Sequence, residues 1–152
     1  MSKAKPEETG RKIICTNRKA RHEYFILETL EAGIKLQGTE VKSVRGNRVT
    51  LDGSFVSLKQ GQVMLIGCNI EPYEMGSYNN HEGKRDRLLL LNKREIRNFV
   101  GKAKEKGLTL IPLVMYFKRG LVKVEIALAR GKQLHDKRQS LKEKDVKREL
   151  RQ

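Results

Sequence analysis

Two periods run through this chain. From Asn92 to Lys106 the apolar residues Ile96, Phe99, Val100 and Ala103 follow i, i+3, i+4, i+7 spacing. That spacing gathers them on one stripe and predicts an amphipathic helix. Asn92 and Glu95 supply a capping-box pair at its start, Leu91 can staple onto Ile96, and Gly107 ends it. Its other face carries Lys93, Arg94, Arg97, Lys104 and Glu105. After Gly107 the period drops to two. Ile111, Leu113, Met115 and Phe117 alternate with their neighbours, as do Val122, Val124, Ile126 and Leu128, and Lys118-Arg119-Gly120 separates the two runs. This reads as a long hairpin. Pro112 has no N–H for a ladder, so it belongs at an edge or a bulge.

Upstream the same alternation predicts shorter strands. Lys12–Thr16 is the first, and Asn17–Tyr24 is a polar, basic connector. The β-branched and aromatic residues from Phe25 favour a strand to about Leu36, interrupted near Glu31-Ala32-Gly33. Thr39–Gly46 fits a short helix, with Thr39 as cap, Val41 and Val44 on one face and Gly46 as stop. Ser54–Leu58 and Val63–Cys68 form a hairpin around Lys59-Gln60-Gly61-Gln62. Pro72–Arg87 has no periodicity, and a loop of that length in a compact domain is functional or disordered. Leu88–Leu91 is a short apolar strand. No internal repeat is present. Six or seven short strands with two helices make a mainly β protein, best fitted by a small OB-like barrel.

The last stretch, Gly131–Gln152, breaks both patterns. Leu134 and Leu141 fall on one side of a helical wheel, Val146 and Leu150 on another, too thin a stripe to hold a helix onto a core. Ser140 with Glu143 and the pair Glu143–Lys147 nevertheless favour helix locally. Such a segment is disordered when free and folds on a polyanion, or else is a solvated end. The chain thus divides into a flexible start (1–10), a barrel (11–130) and a basic tail (131–152).

Charge sharpens this picture. The 33 Lys and Arg against 18 Asp and Glu leave +15, of which the tail holds +4 (8 minus 4) and the rest of the chain +11. Basic character spread over the whole chain points first to nucleic acid and second to an anionic membrane surface. No apolar run reaches the length of a spanning helix, and the start Met1–Gly10 lacks the apolar core of a secretory signal. Cys15 and Cys68 form no CxxC and have no nearby histidine, so two reduced cysteines in a cytoplasmic protein are expected, with neither disulfide nor zinc.

Catalytic patterns are missing. His22, His81 and His135 lie in separate polar segments, and there is no nucleophile elbow, dinucleotide fingerprint or P-loop. The chain reads as a binding protein with no cofactor. Arg18, Lys19 and Arg21 interleaved with His22 and Tyr24 suit folded RNA, cations for phosphate and rings for stacking. A plain solvated connector is the simpler alternative. Glu31 would repel phosphate. If it faces RNA it must accept from base amino groups or a 2′-OH; otherwise it is a surface ion pair with a nearby lysine.

These residues carry a resemblance. Asn17–Ile26 (NRKARHEYFI), Glu31–Ile34 (EAGI) and Gly38–Ser43 (GTEVKS) are similar to blocks of the SsrA-binding protein (small protein B) family. So are Leu88–Asn92 (LLLLN), Gly107–Leu113 (GLTLIPL), Tyr116–Lys118 with Lys123–Ile126, and Gly131-Lys132 with His135–Arg138. The ordered set covers most of the chain. The resemblance implies an OB-like barrel with an unstructured tail, binding to transfer-messenger RNA, and rescue of stalled ribosomes by trans-translation. It implies that Asn17, Glu31 and Leu91 support RNA binding on the barrel. The candidate barrel set becomes Asn17, Arg18, Lys19, Arg21, His22, Tyr24, Glu31, Lys42, Arg45, Leu91, Lys118 and Lys123. It further implies a tail set, Gly131, Lys132, His135, Asp136, Lys137 and Arg138, that enters the small-subunit decoding centre and messenger channel, where His135 can stack on an unpaired base. A monomer when free is expected. The alternative is a structural ribosomal-type protein that stays permanently assembled.

Overall fold

In the computed structural model, residues 10–73, 75, 80–133 and 138 are described. The elements in chain order are β1 (Arg11–Thr16), α1 (Ala20–Glu23), β2 (Tyr24–Ile34), α2 (Gly38–Arg45), β3 (Val49–Thr50) and β4 (Phe55–Lys59). Then follow β5 (Gln62–Ile66), β6 (Asn69–Ile70), β7 (Arg87–Leu90), α3 (Lys93–Lys106), β8 (Thr109–Lys118) and β9 (Leu121–Gly131). The expected flexible start (1–10) and the tail expected to be disordered when free (131–152) lie, from 1–9 and beyond residue 133, outside the described residues apart from Arg138.

Both expected hairpins turn through two residues at positive φ: Gln60 (51°) and Gly61 (78°), then Arg119 (53°) and Gly120 (78°). Two successive left-handed residues match the right-handed twist of the flanking strands, which is why a glycine stands in each turn. Every strand pairing is antiparallel. In the seven-stranded main sheet, β8, β4, β5, β7, β2 and β9 close into a ring because β9 pairs back onto β8. β1 hangs outside that ring on the second half of β8, and β3 and β6 form a separate two-stranded ribbon. The OB-like barrel is present, with more strands and one more helix among the described residues than the pattern suggested.

The extra elements have local causes. Asn17–Tyr24 is not a plain connector, since Ala20–Glu23 makes a turn of helix whose Ala20 is buried against β8 and β9. β2 is not interrupted at Glu31–Gly33. Glu31 pairs with Glu125 and Ala32 with Val124, and Gly33 is flanked by both Lys123 and Leu90. Pairing with β9 at both residues, and with β7 as well at Gly33, overrides the weak strand propensity of Ala and Gly. The break lies at Leu27 instead, as a bulge between Ile26 and Glu28. α2 starts one residue before Thr39, with Gln37 as its cap, and the Gln37 N–H donates to Glu40 Oε1 at 2.8 Å. The Thr39 hydroxyl is engaged with His81 Nδ1 at 2.9 Å.

Pro112 sits beside a bulge, as its missing N–H requires, and the bulge rearranges the hairpin. Ile111 and Leu113 do not share a face with Met115. They point outward into a small cluster with Ala20, Ala127 and Ala129, while Leu110 and Met115 point into the barrel with Val124, Ile126 and Leu128. One extra residue reverses the alternation, so β8 is apolar on both faces and buried from Leu110 to Tyr116. α3 begins and ends as expected, with Glu95 N–H donating to Asn92 Oδ1 at 2.8 Å and Gly107 left-handed at its end. Its Phe99, Val100 and Ala103 join the main core.

The described part of Pro72–Arg87 is tied down. Asn80 bonds the Tyr73 backbone at both N–H (3.1 Å) and C=O (2.7 Å), and His81 Nε2 lies 2.9 Å from the Ile70 carbonyl. Below it, Glu40 and Arg87 are fully buried. Glu40 Oε2 accepts from Arg87 Nε at 2.6 Å, and Oε1 accepts from Arg85 Nη2 at 2.6 Å. Arg87 Nη1 donates to the Cys68 carbonyl at 2.7 Å and Nη2 to the Gly83 carbonyl at 2.9 Å. This network ties α2 and β7 to the Cys68 and Gly83 backbone; the Glu40–Arg87 pair is out of reach of water, while Arg85 caps it from a partly exposed position.

Candidate nucleic-acid interface

The fold divides the barrel candidates into separate regions. The first surrounds α1. Asn17 opens it but is engaged in the fold: its Nδ2 donates to the Pro112 carbonyl at 2.9 Å and its N–H to the Leu113 carbonyl at 2.8 Å, spanning the β8 bulge. Arg18, Lys19 and Arg21 are exposed, and His22 and Tyr24 are half-buried. A cleft of about 440 Å³ opens beside them, lined by Asn17, Lys19, Glu23 and Tyr24 on one side and Asp52 and Phe55 on the other.

The second region lies at the hairpin end of β8 and β9, seven positions along β2 from Tyr24 to Glu31, or about 20 Å of strand. Here Glu31 Oε2 accepts from the Tyr116 hydroxyl and, at 3.3 Å, from Lys118 Nζ. The Arg11 guanidinium lies 3.7 Å from the centre of the Tyr116 ring. Lys123 stands opposite Gly33 on the next strand. Partial burial works against the charge on Glu31, yet the hydrogen bonds from Tyr116 and Lys118, with the charges of Lys118 and Lys123, hold its pKa below 4.5. Tyr116 moves the other way. Burial and the neighbouring carboxylate raise its pKa, so the phenol remains a donor. The surface ion pair with a lysine therefore exists, but it uses only Oε2. Oε1 receives no hydrogen bond from the described residues and is open to a donor from outside.

Leu91 is half-buried and packs against the main core, as does Ile96. Its neighbour Leu90 is 52 % exposed and lies over Gly33, where a Cβ would come within 3.2 Å of the Leu90 Cβ. The outward-facing leucine of this run is thus Leu90, across from Gly33. The hydrophobic pattern does not single out Leu90, Tyr116 or Arg11. Four consecutive leucines conceal which face each will take, and Tyr116 looks like one more core residue of an alternating strand.

The third group is on α2, where Lys42 and Arg45 are exposed and Lys42 Nζ lies 5.3 Å from the centre of the Tyr73 ring. Of the tail candidates, Gly131 closes β9 opposite Tyr24, and Lys132 is bonded to the α1 region. Arg138 is exposed, while His135, Asp136 and Lys137 lie outside the described residues. Among the described residues no group of three His, Cys, Asp or Glu is placed to hold a metal ion, and no helix is long and apolar enough to cross a membrane.

A closed antiparallel barrel with exposed cations in several regions, and a carboxylate oxygen left open among them, defines a small RNA-binding protein of the OB-like class. Comparison with known proteins makes this specific. The sequence model of the family described as SmpB protein matches residues 14–152, and the chain belongs to that family. It is 53% identical over 151 residues to an SsrA-binding protein of Syntrophobacter fumaroxidans, covering 99% of this chain and 94% of the relative. It is 54% identical over 143 residues to an SsrA-binding protein of Acidothermus cellulolyticus, covering 94% and 90%. Among solved structures it resembles a chain from "tmRNA-SmpB: a journey to the center of the bacterial ribosome", with a TM-score of 0.66 and 50% identity over 84% of this chain and 93% of that one.

Proposed function

We propose that this chain is a cytoplasmic RNA-binding adaptor, without chemistry of its own. It binds transfer-messenger RNA and brings it to stalled ribosomes for trans-translation. The observation that carries this reading is the 53% identity, over almost its whole length, with a protein named for binding SsrA. The physical arrangement agrees. Arg18, Lys19 and Arg21 offer exposed charge to phosphates, His22 and Tyr24 offer rings for stacking, and Glu31 Oε1 suits a base amino group or a 2′-OH. Lys118 and Lys123 beside Glu31, and Lys42 and Arg45 on α2, add to the positive field. The residues that follow Lys132, including His135, Asp136, Lys137 and Arg138, act on the ribosome, in the decoding centre and messenger channel. The test is to purify the tagged chain from growing cells and sequence the RNA that comes with it. Transfer-messenger RNA in near-equimolar amount is expected. Ribosomal RNA in constant stoichiometry, whether or not ribosomes stall, would refute the adaptor reading in favour of a structural ribosomal protein.

A further inference from the structure

Three kinds of contact converge where β9 ends, and they join its last residues to α1. Phe25 stands directly opposite Arg130 in the β2–β9 pair, with the Arg130 guanidinium 4.6 Å from its ring centre. Lys132 Nζ lies 4.9 Å from the same centre. The Lys132 N–H donates to the Glu23 carbonyl at 2.9 Å, which carries the ladder one residue beyond the Tyr24–Gly131 pair. The Lys132 ammonium also donates to the Arg21 carbonyl at 3.0 Å, within the only turn of α1. Each contact is modest. A cation over a phenyl ring at an exposed site is a weak attraction, and one ladder bond beyond a strand end normally frays. Together they have a geometric effect that none has alone, because backbone, ammonium and ring fix Lys132 at three points.

We propose that Phe25 is a positioning residue. With Arg130 and Lys132 it forms a latch that sets the direction in which the following chain leaves the barrel. Lys132 then belongs to the barrel rather than to the ribosome-contacting set. The latch also brings the exposed cations of α1 and the root of the tail onto one side of the molecule. This rests on the reading that the residues after Lys132 act on the ribosome. A segment that must enter a channel gains from a fixed starting point, since each lost direction lowers its effective concentration there.

The test uses the full chain with Phe25→Leu, Phe25→Ala and Phe25→Tyr. Leucine keeps the apolar bulk and removes the π face; tyrosine keeps both. Exchange of the Lys132 amide, followed by NMR in the free protein, should accelerate on the order of tenfold in Phe25→Leu and return to the parent rate in Phe25→Tyr. Exchange at Ile126, which points into the barrel core and pairs with Leu30 in mid-strand, should not change. Affinity for transfer-messenger RNA should stay within about threefold, while tagging on stalled ribosomes falls by about tenfold or more. Unchanged Lys132 exchange in Phe25→Leu overturns the latch, as does normal tagging by Phe25→Leu when a chain ending at Gln133 fails to tag. If the chain ending at Gln133 itself tags normally, the ribosomal reading of the tail is what fails. The exchange result still decides whether the latch exists.

Discussion

Replacing Glu40 with glutamine should cost this barrel more than any exposed substitution on it. Glu40 is fully buried, and its two oxygens take donors from Gln37, Arg85 and Arg87. Arg87 is equally buried, so its charge depends on that carboxylate. Glutamine has nearly the same shape but turns one acceptor into a donor that faces guanidinium donors, and it leaves the Arg87 charge uncompensated. Breaking a buried pair from one side costs about 3–5 kcal/mol. A domain of this size is stable by roughly 5–15 kcal/mol in total. At about 4 °C per kcal/mol, the midpoint of thermal unfolding should fall by about 10–20 °C. The double variant Glu40→Gln with Arg87→Met should lose much less than the sum of the two single changes, because it removes the stranded charge. The pH dependence follows the same logic. Burial alone would raise the Glu40 pKa, but the hydrogen bonds from Arg85, Gln37 and Arg87 outweigh it and hold the pKa below 4.5. A depressed carboxylate stabilises fully above its unfolded pKa and loses that contribution as pH falls through its folded pKa. The parent should therefore weaken progressively below about pH 4.5, and Glu40→Gln should show a shallower decline there. Urea melts at neutral and acid pH measure both effects. A loss under about 1 kcal/mol at neutral pH would refute the account, since it would mean that Arg87 does not need its anion.

Affinity for a tRNA-like RNA should fall steeply with salt, each neutralised phosphate contributing about 0.7–0.9 to the logarithmic slope, and a flat response across a salt titration would sink the electrostatic reading. At Glu31, glutamine should weaken RNA binding less than arginine does, with the fold intact by circular dichroism. Normal binding by both would leave only the ion pair with Lys118. Burial pushes the Cys15 pKa up to about 12, helped by Cys68 and Asp52, and burial pushes that of Cys68 up to about 11. The thiolate fraction at pH 8 is then on the order of one in a thousand or less, so alkylation of the native protein should be slow and should speed up on unfolding. Rapid labelling of either cysteine under native conditions would contradict that burial.

Local signals were enough for some of this protein. The α3 helix was legible because its apolar period, its Asn92–Glu95 cap and its Gly107 stop agree with one another. The two hairpins were legible because a glycine at the second turn position leaves few alternatives. Family membership was legible in the ordered blocks from Asn17 to Arg138. All of these act within a few residues, or by resemblance, and need no knowledge of what packs against what. The tertiary structure decided the rest. β2 stays continuous because β9 pairs with it through Ala32 and Gly33, and β7 joins its other edge at Gly33. The bulge beside Pro112 sends Ile111 and Leu113 to the opposite side from Met115. Arg87, which the pattern places at the end of a loop without periodicity, is buried because Glu40 lies 47 positions away in sequence and 2.6 Å away in space. The open oxygen of Glu31 depends on Tyr116 and Lys118, and the root of the tail depends on Phe25. Each is a pairing between distant segments, and their free energy exists only once the barrel has closed. A one-dimensional pattern carries periods and caps, whereas long-range contacts choose which side of each strand becomes the surface.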